Sequence, residues 1–174
     1  TGVPSIIFGM VGLVVFIPLT SVIGLEGRNI IAASLTLTVI ILPTIIRSTE
    51  ESLKVIPNDL RQASLALGAN STQTTFKVVL PNALPGILTA TLLGIGRVIG
   101  ESAALIFVMG TVISDYVSIE GSSTSLAVQI WSVMGGEVPN FELASAISLI
   151  ILAVVLLLNL SVKFIMYRLN KAWH

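Results

Sequence analysis

Uninterrupted apolar sequence is the strongest constraint on this chain. Pro4 to Ile23, Ile30 to Ile46 and Leu143 to Val162 contain no charged residue, and Ala83 to Met109 contains only Arg97 and Glu101. A bilayer hydrocarbon core of about 30 Å is crossed by about 20 apolar residues in a helix. A large soluble core can also bury apolar helices, but charge is too scarce here to clothe one. Only 10% of the 174 residues are charged, against about 25% in an ordinary soluble domain. In hydrocarbon the backbone must satisfy its own polar groups, which a helix does within one segment. The chain is therefore expected to be all-α, a polytopic helical membrane bundle. Its four expected transmembrane helices lie at about 4–23, 30–46, 83–109 and 143–162, in a single domain covering 1–174. Pro18 and Pro43 fall late in their runs and are expected to kink or end them.

Several functions are disfavoured at once. Net charge is zero, which gives no reason to expect nucleic acid. There is no Cys, and the one His is His174, so a metal site is not expected. No cofactor is implied. The motif G-x-x-x-x-G-K-[ST], whose backbone cradles nucleotide phosphates, does not occur, so ATP hydrolysis is not expected of the chain itself. The first residue is Thr, and no basic segment precedes the first apolar run. No signal peptide is read there, and the chain is expected to be a piece of a longer protein.

Lys and Arg set the expected orientation. Arg47, Lys54, Arg61 and Lys77 lie between the second and third runs, and Lys163, Arg168 and Lys171 follow the fourth. The segment 110–142 has none of either, but holds Asp115, Glu120, Glu137 and Glu142. The loop 48–82 and the C-terminus are thus expected in the cytoplasm, and 110–142 outside. Within that outer loop S-L-A-V-Q-I-W-S-V-M is too short to span. It reads as a surface helix with Trp131 near the headgroups.

The cytoplasmic loop has internal order. Asn58 is placed to cap a helix D-L-R-Q-A-S-L-A-L, and Gly68 to end it in the left-handed conformation. Ser71 suits the start of a second helix, T-Q-T-T-F-K-V-V-L, stopped by Pro81. Leu60, Ala63, Ser64 and Leu67 share one face of the first. On a helical wheel of the third span, Gly86, Ala90, Gly94, Arg97, Gly100, Glu101 and Ala104 fall on one side, with Leu93 and Val108 as exceptions there. Charges in hydrocarbon cost roughly 2.5–3.5 kcal/mol each on insertion scales, so they face protein or water. Arg97 and Glu101, four residues apart, can pair. They either line a pathway, Arg offering its planar fork to an oxyanion, or fix helix register. Asn159, inside the last run, suits a hydrogen bond across helices better than a substrate contact.

Residues Gln62 to Pro81, Q-A-S-L-A-L-G-A-N-S-T-Q-T-T-F-K-V-V-L-P, resemble the EAA loop of ABC-importer permeases. That pattern runs E-A-A, three residues, Gly, nine residues, Ile-x-Leu-Pro. Gln62, Ala63 and Ser64 stand at its first three places, and Gly68, Val78, Leu80 and Pro81 fall in register. Gln62 replaces the family's Glu, and Ser64 its second Ala. R-V-I-G-E-S-A-A, from Arg97, resembles R-x-x-G-E-T-A of phosphate importer permeases, with Ser102 in place of Thr. G-V-P-S-I-I-F-G, T-S-L-A-V-Q-I-W and L-L-L-N-L are similar to segments of the same family, more to its A-type subunit than to the C-type. Sulfate permeases carry a related R-x-x-G-E.

The resemblance implies the permease subunit of an ATP-driven phosphate importer in a bacterial or archaeal cytoplasmic membrane. It implies ATPase subunits that grip Gln62, Ala63, Ser64, Gly68, Leu80 and Pro81. It further implies a second permease, an extracytoplasmic phosphate-binding protein, and phosphate as substrate near Arg97 and Glu101. On the family's six-span plan this chain would be the last four spans. Alternatives are a permease for sulfate, molybdate or another solute, and an ion-coupled carrier or channel that uses Arg97 and Glu101 as a relay.

Overall fold

The computed structural model describes residues 3–113 and 118–172, the side chains of 165–172 excepted. Asp115 and His174 lie outside these residues, as do the side chains of Arg168 and Lys171. All elements among the described residues are helical: α1 (Ser5–Ser21), α2 (Ile30–Lys54), α3 (Asn58–Ala66), α4 (Ser71–Ile99), α5 (Leu105–Val108), α6 (Leu126–Met134) and α7 (Phe141–Ala172). Helices α2, α4 and α7 are long and apolar enough to cross a membrane. Helix α1 is a shorter apolar helix, about 25 Å at about 1.5 Å per residue.

Proline ends a helix at one of the three expected places: α1 stops at Ser21, soon after Pro18, but neither Pro43 nor Pro81 ends its helix. Helix α2 runs through Pro43 to Lys54. Helix α4 runs through both Pro81 and Pro85, so Pro81 does not stop the second loop helix. That helix and the following span are one rod. The reason lies just before the proline. Thr75–Val79 is a π segment, and Leu80 N–H bonds back five residues to Thr75 O. Widening the turn relieves the clash between a proline ring and the carbonyl four residues earlier. Helix α1 uses the same device. Its π segment Gly12–Phe16 stands before Pro18 at the same spacing, and Ile17 N–H bonds to Gly12 O.

The expected third span also departs from the structure at its far end. Helix α4 ends at Ile99, ten residues short of Met109. The chain leaves the helix at Gly100–Ala104 and resumes as the short α5. Glycines at 94, 96 and 100 weaken the helix here, and apolar periodicity does not register the break.

The chain divides into two compact units. One comprises Thr1–Ile41 and Gly96–Leu157. Its core is Ala33, Leu105, Val108 and Val128. Helix α1 reaches it through glycine. Gly9 lies against the backbone of Ala104, and Gly12 against Thr36 and Val108. Asn29 is fully buried here. Its Nδ2 donates to Thr20 Oγ1 at 2.9 Å and to Gly27 O at 3.0 Å, and its Oδ1 accepts from Ala32 N–H at 2.8 Å, capping α2. The other unit comprises Leu42–Ile95 and Leu158–His174. In it Gly86 of α4 closes onto Ser52 of α2, and Thr74, Val79, Ala83 and Ala90 are buried. Large apolar side chains such as Val14 (71% exposed), Leu149 (65%) and Leu160 (61%) face outward, as hydrocarbon permits and water penalises.

Candidate functional site

Two groups of residues are candidates for function, one in each unit. The first is the loop helix α3 with the start of α4. Pro57, not Asn58, takes the N-cap position of α3, and no side chain caps it. Asn58 is instead the first helical residue, because proline's fixed φ and missing N–H suit the boundary itself. The C-terminal end is as expected. Gly68 has φ +88°. Its N–H bonds to Leu65 O at 3.0 Å and Ala69 N–H to Ser64 O at 3.2 Å, the paired bonds that close a helix through a left-handed glycine. The second helix begins at Ser71 and is capped by Asn70. Asn70 Oδ1 accepts from Gln73 N–H at 2.8 Å, and Gln73 Oε1 from Asn70 N–H at 3.1 Å. This capping box was legible as N-x-x-Q but was not read from the sequence.

The residues of the EAA-like register divide between two faces. Gln62, Ala63 and Gly68 are exposed. Ser64 turns inward, its Oγ 3.0 Å from Oγ1 of buried Thr74. Leu80 and Pro81 are half-buried within α4. Leu67, expected to share a face with Ser64, is 90% exposed: it sits at the C-cap, where the chain is already leaving the helix.

The second group surrounds the break. Arg97 lies in the last turn of α4, exposed, where a cation complements the carbonyl end of the helix. The pair with Glu101 does not form; among the described residues the one salt bridge joins Lys54 to Glu50. Glu101 is beyond the helix, so the four-residue spacing no longer brings the two side chains together. Its Oε1 accepts from Ala104 N–H at 3.3 Å, closing the turn that leads to α5. Arg97 makes no hydrogen bond or ion pair among the described residues. A cavity of about 560 Å³ adjoins the break, lined by Gly100, Ser102, Ala127, Trp131 and Ser148 among others, with neither charged residue in its wall. Helix α6 forms where the outer-loop helix was expected, with Ser125 Oγ accepting from Val128 N–H at 3.2 Å. Asn159 lines a separate cavity with Thr89 and Lys163. No cluster of potential metal ligands occurs among the described residues.

Three helices long and apolar enough to cross a membrane, one of them continuous with a helix-turn-helix, give the chain the architecture of a polytopic membrane protein. The chain belongs to the family described as binding-protein-dependent transport system inner membrane component, whose model matches residues 1–174. It is 36% identical to the probable ABC transporter permease protein YqgI of Bacillus subtilis, over 95% of this chain and 60% of that protein. It is also 36% identical to the phosphate transport system permease protein PstA of Mycobacterium leprae, over 87% of this chain and 50% of that protein. This chain thus spans about half to three fifths of the length of these relatives. Among solved structures it resembles the MetNI methionine ABC transporter in an inward-facing conformation. There the TM-score is 0.73 and the identity 30%, over 96% of this chain and 69% of that one. The resemblance to the permeases of phosphate importers, the A-type included, holds across most of the chain.

Proposed function

We propose that this chain is part of the permease subunit of an ATP-driven phosphate importer, forming the translocation pathway and coupling it to a separate ATPase. Four helices cross the membrane in this reading: α1, α2, α4 with its broken end, and α7. The loop 48–82 and the C-terminus are cytoplasmic, and 110–142 is outside. ATPase subunits dock on the exposed face of α3, around Gln62, Ala63 and Gly68. A second permease completes the pathway, and an extracytoplasmic binding protein delivers phosphate.

The observation that carries the substrate reading is the uncommitted guanidinium of Arg97 at the end of a broken helix. Irregular backbone at membrane depth is tolerated where protein buries it or water lines it. A guanidinium with no partner among the described residues, beside such a break, can meet an oxyanion bidentately. Phosphate is favoured over sulfate or molybdate by the PstA relatives. The test is labelled-phosphate uptake by the full-length protein reconstituted with its partners, with sulfate and molybdate as competitors. Arg97→Ala should abolish uptake and leave ATPase pull-down intact, and Arg97→Lys should restore part of it. Undiminished uptake by Arg97→Ala rejects the substrate contact. Uptake of sulfate or molybdate in preference to phosphate rejects the substrate.

A further inference from the structure

We infer that Arg61 and Ser64 are positioning residues that fasten α3 to both flanking long helices, so that α3 delivers a displacement to α2 and α4 together. The inference rests on the proposed ATPase-coupling role of α3 and adds how its motion is shared.

Helix α3 cannot hold its own position. It has nine residues and buries none of them. Helices this short are marginal without tertiary support. Its placement must come from tethers, and two are present on one side. Arg61 Nη2 donates to Leu53 O at 2.8 Å. Leu53 lies in the last turn of α2, where carbonyls lack intrahelical donors and a cation is favoured. Arg61 Nε is buried with no acceptor among the described residues, so the guanidinium is held against protein rather than swinging in water. One turn on, Ser64 Oγ meets Thr74 Oγ1 at 3.0 Å. Thr74 is 4% exposed and lies in the first turn of α4.

Positions 61 and 64 are three apart and share a helix face. Gln62 and Ala63, both exposed, are left on the face open to a partner. Ser64 therefore acts inward, not on the ATPase. The EAA pattern has Ala at this place, which could not make the bond. The Ser64–Thr74 tether is a departure of this chain from that pattern.

The test uses the full-length permease in proteoliposomes with its ATPase, second permease and binding protein. The readouts are ATP hydrolysed per anion transported and ATPase pull-down. Ser64→Ala alone leaves a buried Thr74 hydroxyl without its partner, so it confounds positioning with destabilisation. The double variant Ser64→Ala with Thr74→Val removes both hydroxyls and separates the two. The double variant and Arg61→Leu should each bind the ATPase normally and use about threefold more ATP per anion, the scale of one lost hydrogen bond. Combining them should raise the ratio further, and Arg61→Lys should recover part of the loss. A wild-type ratio in the double variant makes the bond mere burial chemistry and overturns the inference. Loss of pull-down in the double variant, with Thr74→Val alone retaining it, assigns Ser64 to the ATPase contact, which also overturns the inference. The ratio is measured with whichever anion the wild type moves, so an error in substrate leaves this test intact. A wild type that neither binds nor stimulates the ATPase sinks the coupling role and this inference together.

Discussion

Gly9→Ala should destabilise the protein even though alanine is the better helix former. A Cβ at Gly9 would stand 2.7 Å from both Cα and O of Ala104 and 3.1 Å from its carbonyl carbon. All three are backbone atoms, so no side chain can rotate away, and either α1 or the segment 100–104 must move. Replacing a helical glycine gains about 0.8–1.0 kcal/mol. Overpacking costs about 1–3 kcal/mol, and a backbone obstacle places this case in the upper half. The net loss is about 1–2 kcal/mol. Gly96→Ala is the matched control. It lies in α4, and nothing comes within 4 Å of its Cβ position, so only the gain of about 0.8–1.0 kcal/mol operates. The two variants should therefore differ by about 2–3 kcal/mol in opposite directions from wild type. The assay is reversible unfolding of the isolated full-length permease in mixed micelles, followed by helix content. If Gly9→Ala is as stable as Gly96→Ala, the contact between α1 and the break is wrong.

Two further outcomes follow from the loop. Gly68→Val places a β-branched residue at φ +88°, where an L side chain costs about 1–2 kcal/mol. The variant should insert normally but bind or stimulate the ATPase poorly, and wild-type stimulation at matched expression would remove Gly68 as the turn that sets α3. Single cysteines at Ser71 and at Val138, both exposed, should label from opposite sides of the membrane in intact cells, Ser71 only from the cytoplasm; label reaching Ser71 from outside would reverse the topology.

Much of this architecture was legible because it depends on short-range rules. Apolar runs located α2 and α7 and most of α4. Gly68 was readable as a helix end because few other residues tolerate its conformation. The short helix α6 followed from its length. Interactions that depend on distant partners were not legible. Asn29 gives no local sign that it will be fully buried between Thr20 and the start of α2. Nothing local to Ser64 shows that its hydroxyl will meet that of Thr74, ten residues on. The break at Gly100 was hidden because a helical wheel assumes a continuous helix. That assumption produced the Arg97–Glu101 pair; among the described residues Arg97 has no partner, and Glu101 caps the turn instead.

The π segments before Pro18 and Pro81 have a consequence for numbering itself. A π turn holds one residue more than the α turns around it, and the flanking helices stay aligned as though that residue were absent. A wheel drawn at about 100° per residue therefore carries a phase error of about 100° across Thr75–Val79 and again across Gly12–Phe16. Residues that look diametrically placed on either side of such a turn can share a face, and apparent stripes can dissolve. Scanning data along α1 and α4 would show two independent periodic patterns in each helix, offset at the bulge. An alignment gap of one residue at either place would leave the rest of the helix undisturbed, giving this fold two positions where length can vary without rotating everything beyond.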